Sequence, residues 1–341
     1  MNIKKCISMN NALILLVLIT IVAVLSIVSG FRDYSIGMDT YNYMSIFLDY
    51  KGSLLDAKHE YGFMFLSKLI FYMGGSVEFF FTVVAFVITI FMFFAFLRLS
   101  NIHSRSNLIL SSSFFFITIC LSDWYFSGVT NGLRHAAALS IMYYSLTFLK
   151  ENRLSYFVAF FVLSVAFHKS VVLLLPFFIL FLLSLNFIVL LFFITSIGYF
   201  FGVNEYVVKL LSELSGIGLH ERISTFLLDE EGGESWKGFN IKFFVYNLFW
   251  FIFPFLLIRL RIIKPDKDLY FYIKAFAVFS IFYFVFGFGA FSNRWAYASW
   301  LFLPIFQAYM ISQMNVSIHI KLLFSIFIIP AAFYFVSRFI I

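Results

Sequence analysis

The chain has 341 residues, of which 62% are hydrophobic and only 12% charged, with a formal charge of +7 and a mean hydropathy of +0.97. Soluble domains carry about 25% charged residues, so a soluble fold is excluded. The apolar runs are continuous rather than alternating, which excludes a β-barrel and leaves an all-α polytopic membrane protein.

Lys4 and Lys5 precede a first apolar run over residues 11–30, read as an uncleaved first helix with its basic start in the cytoplasm. A polar outer-face segment of residues 31–76 follows, with an amphipathic piece at 63–72. Further spans are predicted over 77–97, 107–122, 133–149, a short 155–167, 171–183, 187–201, 243–258, 271–290, 295–311 and 322–339, about eleven in all. A short outer loop is expected at 123–132. A second long outer segment, 202–242, holds an amphipathic helix marked by Val207, Leu210, Leu211 and Leu214 and the acidic run Asp229, Glu230, Glu231, Glu234.

Of the 17 acidic residues this threading puts only Glu151, Asp266 and Asp268 inside, and the short inner loops are basic, as membrane orientation demands. The basic excess therefore sets topology, and no nucleic-acid partner is implied. Residues 1–341 read as a single transmembrane domain. No internal repeat is visible, which weighs against a transporter of two related halves. Cys6 and Cys120 fall near opposite faces, so no disulfide is expected. The 53 Phe are read as lipid-facing filler.

Isolated cations collect at the outer face. Arg32 follows the first helix, close to Asp33 and Asp39, and Gly37 allows a turn that lets guanidinium and carboxylate face one pocket; the competing reading is an Arg that snorkels to the interface. Arg134 opens a span followed by Ala136, Ala137 and Ala138, small residues that let helices approach closely. A charge there needs a partner, either a carboxylate such as Asp123 or an anionic ligand. His168 ends the short span beside Lys169 and Ser170, and a histidine can act as a base near neutral pH. Arg222, within His220-Glu221-Arg222, reads as a solvated ion pair to Glu221 or Glu213 or as part of the cationic set. Arg294 starts a span as an interfacial anchor or as another member. The acidic run lacks EF-hand spacing, and no metal motif, Walker loop, Rossmann fingerprint or nucleophile elbow is present. Together the cations suit a lipid-linked phosphate or pyrophosphate, because the guanidinium fork binds phosphate oxygens bidentately.

Taken in succession, the segments resemble the EpsG/Wzy family of polysaccharide polymerases. The matching features are Arg32, then Gly37-x-Asp39-Thr40-x-x-Tyr43, Glu60-Tyr-Gly-Phe, Asn131-x-x-Arg134-x-x-Ala137, Ala166-Phe-His168-x-Ser170 and Arg294-x-x-Tyr297. The resemblance implies a GT-C-like glycosyltransferase bundle, close in architecture to O-antigen ligases. Its partners are an undecaprenyl-pyrophosphate-linked glycan donor and acceptor, membrane lipids, a chain-length regulator and a flippase. No cofactor or metal is implied. Arg32, Arg134 and Arg294, with Arg222, are then expected to hold the pyrophosphate, Glu60 joins the substrate-binding set, and His168 or Asp39 is the candidate base. A flippase or transporter of lipid-linked oligosaccharide and a ligase-type glycan transferase are the competing functions.

Overall fold

The computed structural model describes residues 9–48, 60–101, 105–216, 218, 238–289 and 292–338. Backbone that lies in hydrocarbon must satisfy its own polar groups, and helices do this within one segment. Accordingly the described residues are helical apart from short turns, and the pairing of Ile263 with Met314 is an isolated bridge. Among the described residues four helices, Ala12–Gly30, Val77–Leu99, Ile241–Arg259 and Lys267–Phe286, are long and apolar enough to cross a membrane. The number rises to six if the bent pairs Asn107–Cys120 with Asp123–Thr130 and Leu185–Phe200 with Val203–Leu214 each form one span. Other apolar runs are helical too, but Leu154–Phe167 and Lys169–Leu182 are shorter than that length.

The chain forms two compact units, one of Met1–Val172 with Gln307–Ser312, the other of Leu173–Phe306 with Gln313–Ile341. In the first unit α1 (Met9–Gly30) packs on α4 (Val77–Leu99). The approach is close because Gly30 meets α4 backbone: a Cβ there would lie 2.6 Å from the Thr82 nitrogen. Between these helices in the sequence come two short ones, α2 (Thr40–Leu48) and α3 (Tyr61–Tyr72). Only part of this helix content was expected in the polar stretch, because α2 buries just Thr40, Tyr43 and Phe47 and so leaves a weak periodic signal. After α5 (Arg105–Cys120) the expected loop is instead a helix, α6 (Asp123–Thr130), whose start is capped by Ser122 Oγ accepting from the Tyr125 N–H at 3.2 Å.

Two longer helices complete the unit. α7 (Leu133–Lys150) and α8 (Leu154–Phe167) form an antiparallel hairpin and pack tightly. Its turn lies beside the end of α4: Arg98 donates to Glu151 Oε2 at 2.6 Å and stacks over Phe148 at 4.0 Å, and Lys150 Nζ caps the Leu99 carbonyl. The cations Arg98, Lys150 and Arg153, which stand in the short loops after the runs 77–97 and 133–149, are thus brought together. Arg134 and His168 lie at the opposite end of the same hairpin.

The second unit starts in a 3-10 segment, Lys169–Leu182, which contains Pro176. An ordinary helix was expected there, and 3-10 runs of this length are uncommon. Lys274 Nζ donates to the Phe181 and Leu183 carbonyls that end it. Next come α9 (Leu185–Phe200), α10 (Val203–Ser215), α11 (Ile241–Arg259), α12 (Lys267–Phe286), α13 (Ser292–Trp300), α14 (Leu303–Gln313) and α15 (Ile318–Arg338). The run expected as one span over 295–311 breaks between α13 and α14, just before Pro304, which has no N–H to donate to the Trp300 carbonyl one turn back and is tolerated only in the first turn of a helix. Trp250, Trp300, Tyr272 and Tyr283 fill the core.

Among them is a buried polar junction. Asn247 Oδ1 accepts from Ser280 and Ser299 hydroxyls, each at 2.9 Å, while its Nδ2 donates to the Phe243 carbonyl at 2.8 Å. One amide so ties α11, α12 and α13. Truncating it strands a buried hydroxyl, at a cost of about 1–3 kcal/mol. Asn247→Leu is therefore expected to lower the thermal unfolding midpoint in detergent; an unchanged midpoint would show the junction contributes nothing.

Candidate functional site

The site is assembled at the end of the hairpin where α7 begins and α8 stops. α8 ends because His168 turns to extended geometry, φ −158° and ψ 115°. α3 begins against that end, and glycine makes this possible: a Cβ on Gly62 would sit 2.9 Å from the Ala166 carbonyl oxygen. Glu60, the residue that precedes α3, is in this way set beside His168 although 108 positions separate them in sequence.

Glu60 is 7% exposed, and its two oxygens are divided between two partners. Oε2 accepts from Arg134 Nη1 at 2.7 Å and Oε1 pairs with His168 Nδ1 at 2.7 Å. Burial raises the carboxyl pKa, but the His168 hydrogen bond and the Arg134 charge outweigh it, leaving it at about 2 instead of 4.5. An ionised carboxylate only accepts, so Nδ1 carries a proton, and in the neutral ring Nε2 is the acceptor. The His135 ring lies 4.9 Å from that of His168, and the Tyr43 ring lies 5.9 Å from the Arg134 guanidinium carbon. The Nε of Arg134 has no hydrogen-bond partner among the described residues.

Arg32, in the same unit, is held by the ends of α1 and α6 and the start of α2. Its Nη1 donates to the Ser29 carbonyl at 2.8 Å, and Nη2 reaches the Thr40 hydroxyl at 3.2 Å and the Thr130 carbonyl at 3.5 Å. The guanidinium stacks over Phe81 at 4.5 Å. Gly37 does make the expected turn, at φ +95°, and a side chain there would crowd Asn131 and Thr40. Burial draws the Arg32 pKa down to about 10, so it keeps its charge at neutral pH. Arg32 Nε, too, has no hydrogen-bond partner among the described residues.

Of the sequence candidates, then, Glu60, Arg134 and His168 meet directly, and Arg32 belongs to the same unit, with its Nη2 on the Thr130 carbonyl at the end of α6. Asp39 lies at the start of α2, where its carbonyl accepts from Tyr43 N–H at 3.0 Å and its charge acts on the Tyr43 phenol. Asp123, considered as a carboxylate partner for Arg134, is exposed at the start of α6, and Glu60 takes that place. Arg294 belongs to the second unit and is exposed in the first turn of α13. Arg222, the acidic run at 229–234 and Cys6 lie outside the described residues. Sequence reasoning gave no role to His135 or Tyr43. Both stood within quoted motifs, and only folding shows that their rings border the ion cluster. Among the described residues no three His, Cys, Asp or Glu side chains are grouped so as to hold a metal ion.

Helices of this length and apolarity, with charges gathered into one buried cluster, define a multi-pass membrane protein with an ionic site. The chain belongs to the EpsG family, whose model matches residues 15–341. Membership points to a role in polysaccharide polymerisation. No curated protein and no solved structure matches the chain.

A depressed carboxyl pKa adds stability that is present above the unfolded value, near 4.5, and is lost as the pH falls toward 2. The difference in unfolding midpoint between the parent and Glu60→Gln is accordingly expected to be constant at neutral pH and to shrink below about pH 4.5. A gap that instead grew on acidification would contradict an ionised Glu60.

Proposed function

We propose that this protein is a membrane glycosyltransferase that polymerises undecaprenyl-pyrophosphate-linked oligosaccharide repeat units at the outer face of a bacterial cytoplasmic membrane, yielding O-antigen, capsule or exopolysaccharide. The observation that carries this reading is the Arg134–Glu60–His168 array in a chain of the EpsG family. It combines a cation for a developing anion with an oriented base. The shorter apolar helices, Leu154–Phe167 and Lys169–Leu182 among them, complete the count of about eleven spans in a GT-C-like bundle. A flippase supplies the donor to the outer face, and a chain-length regulator acts on the product.

In the reaction, the acceptor hydroxyl on one lipid-linked repeat attacks the anomeric carbon of the donor glycan. Its proton passes to His168 Nε2 while a new glycosidic C–O bond forms. The old bond from the anomeric carbon to the pyrophosphate oxygen breaks, and its electron pair leaves with undecaprenyl pyrophosphate. Glu60 fixes the His168 tautomer and stabilises the imidazolium as it forms. Arg134 and Arg32, each with an Nε that has no hydrogen-bond partner among the described residues, balance the charge growing on the pyrophosphate. With guanidinium groups in that role, the reaction needs no divalent ion. His168 is preferred to Asp39 as the base because its Nδ1 is already held by a carboxylate.

The test is the surface-glycan ladder of a strain lacking the gene. Deletion is expected to reduce the ladder to a single repeat displayed outside, with restoration by the parent gene. Arg134→Ala is expected to remain in the membrane yet lose about 10²–10³-fold in rate, and His168→Ala about 10²–10⁴-fold. Lipid-linked repeats retained inside would favour a flippase, and full-length polymer left on the carrier would favour a ligase. With purified enzyme and lipid-linked repeats, chelators are expected to leave the rate unchanged; strict dependence on an added divalent cation would overturn the arginine-only account of leaving-group stabilisation.

A further inference from the structure

We infer that α10, Val203–Ser215, lies along the membrane surface with one face sunk into the headgroup–acyl boundary of the phospholipid bilayer. The inference rests on the chain being a membrane protein and not on the reaction assigned to the Arg134 site.

Three faces of this helix differ in what they meet. Asn204, Val208 and Ser212 point inward: Val208 and Ser212 are buried, and Asn204 Nδ2 donates to the carbonyls of Thr195 in α9 at 2.8 Å and Phe284 in α12 at 2.9 Å. Glu205, Lys209 and Glu213 recur every fourth residue and are all exposed. Between these two faces runs a stripe of exposed apolar side chains, Val203, Tyr206, Val207, Leu210, Leu211 and Leu214, the last of them 76% exposed. Their spacing follows the helical repeat, so they form one continuous surface.

The corner that aims this helix is built into the fold. α10 departs from α9 at 93°. Gly202 makes the turn with φ +72°, a region that favours glycine. One turn earlier Gly198 leaves the space into which the Asn204 side chain folds, where any Cβ would overlap it. The Asn204 amide then bonds the Thr195 carbonyl, which holds the start of α10 against the last two turns of α9.

Neither of the simpler surroundings suits such a helix. In water the apolar stripe would be left solvated, against the hydrophobic effect. Spanning the bilayer, the helix would carry Glu205, Lys209 and Glu213 into hydrocarbon. At the boundary, the stripe enters lipid while the charged row faces water. The preceding α9 is itself apolar and leaves Leu190, Ile194, Ile197 and Phe200 exposed, so a helix turning at a right angle off its end runs along the surface that α9 reaches. With two acids against one lysine on the charged row, apolar burial and not attraction to anionic lipid holds the helix in place.

The experiment uses the full chain with Cys6→Ser and Cys120→Ser, reconstituted in phosphatidylcholine vesicles. Single spin labels are attached at Tyr206→Cys, Leu210→Cys and Leu214→Cys, and separately at Glu205→Cys, Lys209→Cys and Glu213→Cys. All six replace exposed side chains, so the fold is retained. Collision with oxygen is expected to dominate on the first set, at a common depth of about 5–10 Å, and collision with a water-soluble nickel chelate on the second. Uniform access to the chelate would place the helix in solvent and overturn the proposal. A depth that increases steadily along the helix would mean that it crosses the bilayer. Exclusion of both reagents from Leu210→Cys and Leu214→Cys would mean that protein, a second copy included, covers the stripe.

Discussion

A single carboxylate buried between a guanidinium and an imidazole is the constraint on which the first unit depends. Isolated, any of these groups would be costly to take out of water. Arg134 needs an anion, Glu60 needs a cation and a donor, and His168 supplies the donor while gaining a fixed tautomer. To satisfy all three, α3 must start against the end of α8, which Gly62 permits, and α7 must start beside both. Removing Glu60 leaves both Arg134 and His168 without their carboxylate, and removing either of those leaves one Glu60 oxygen without its partner, so stability and chemistry are coupled through the same atoms.

The rest of the first unit holds this end in register from a distance. Arg98, Glu151, Lys150 and the Leu99 carbonyl lock α4 to the turn of the α7–α8 hairpin. A hairpin fixed at its turn presents its two free ends, Arg134 and His168, at the same level. The second unit solves the polar problem differently, with neutral junctions: Asn247 joins α11 to α13, and the Tyr283 hydroxyl donates to that of Tyr199, which accepts from the Asn240 N–H and donates to the Gly238 carbonyl. Neutral amides and hydroxyls tie helices without the desolvation penalty of buried charge.

Helical class, membrane character and most helix positions are written in composition and run length, because a bilayer leaves few alternatives to an apolar helix. The signals fail where local geometry overrides apolarity. Pro304 divides what reads as one span, the stretch around Pro176 winds as a 3-10 helix, and α6 forms where loop-like polarity suggested none. In each case a missing N–H or a capping hydroxyl decides, and neither changes the hydropathy of the run.

By itself the sequence determined that Arg32, Arg134 and His168 stand at the ends of apolar segments, where charge is tolerated only with a purpose, and the order of their motifs carried the family. Which groups pair could not be read from it. Asp123 is 11 residues from Arg134 and Glu60 is 74 away, yet Glu60 is the partner, because contacts across a helical bundle follow packing and not separation along the chain. Only the tertiary structure decided that pairing, the tautomer it imposes on His168, and the rings of His135 and Tyr43 at its border. Side-chain partnership is a property of where helix ends meet, and small residues such as Gly62 fix that meeting through contacts that no one-dimensional pattern displays.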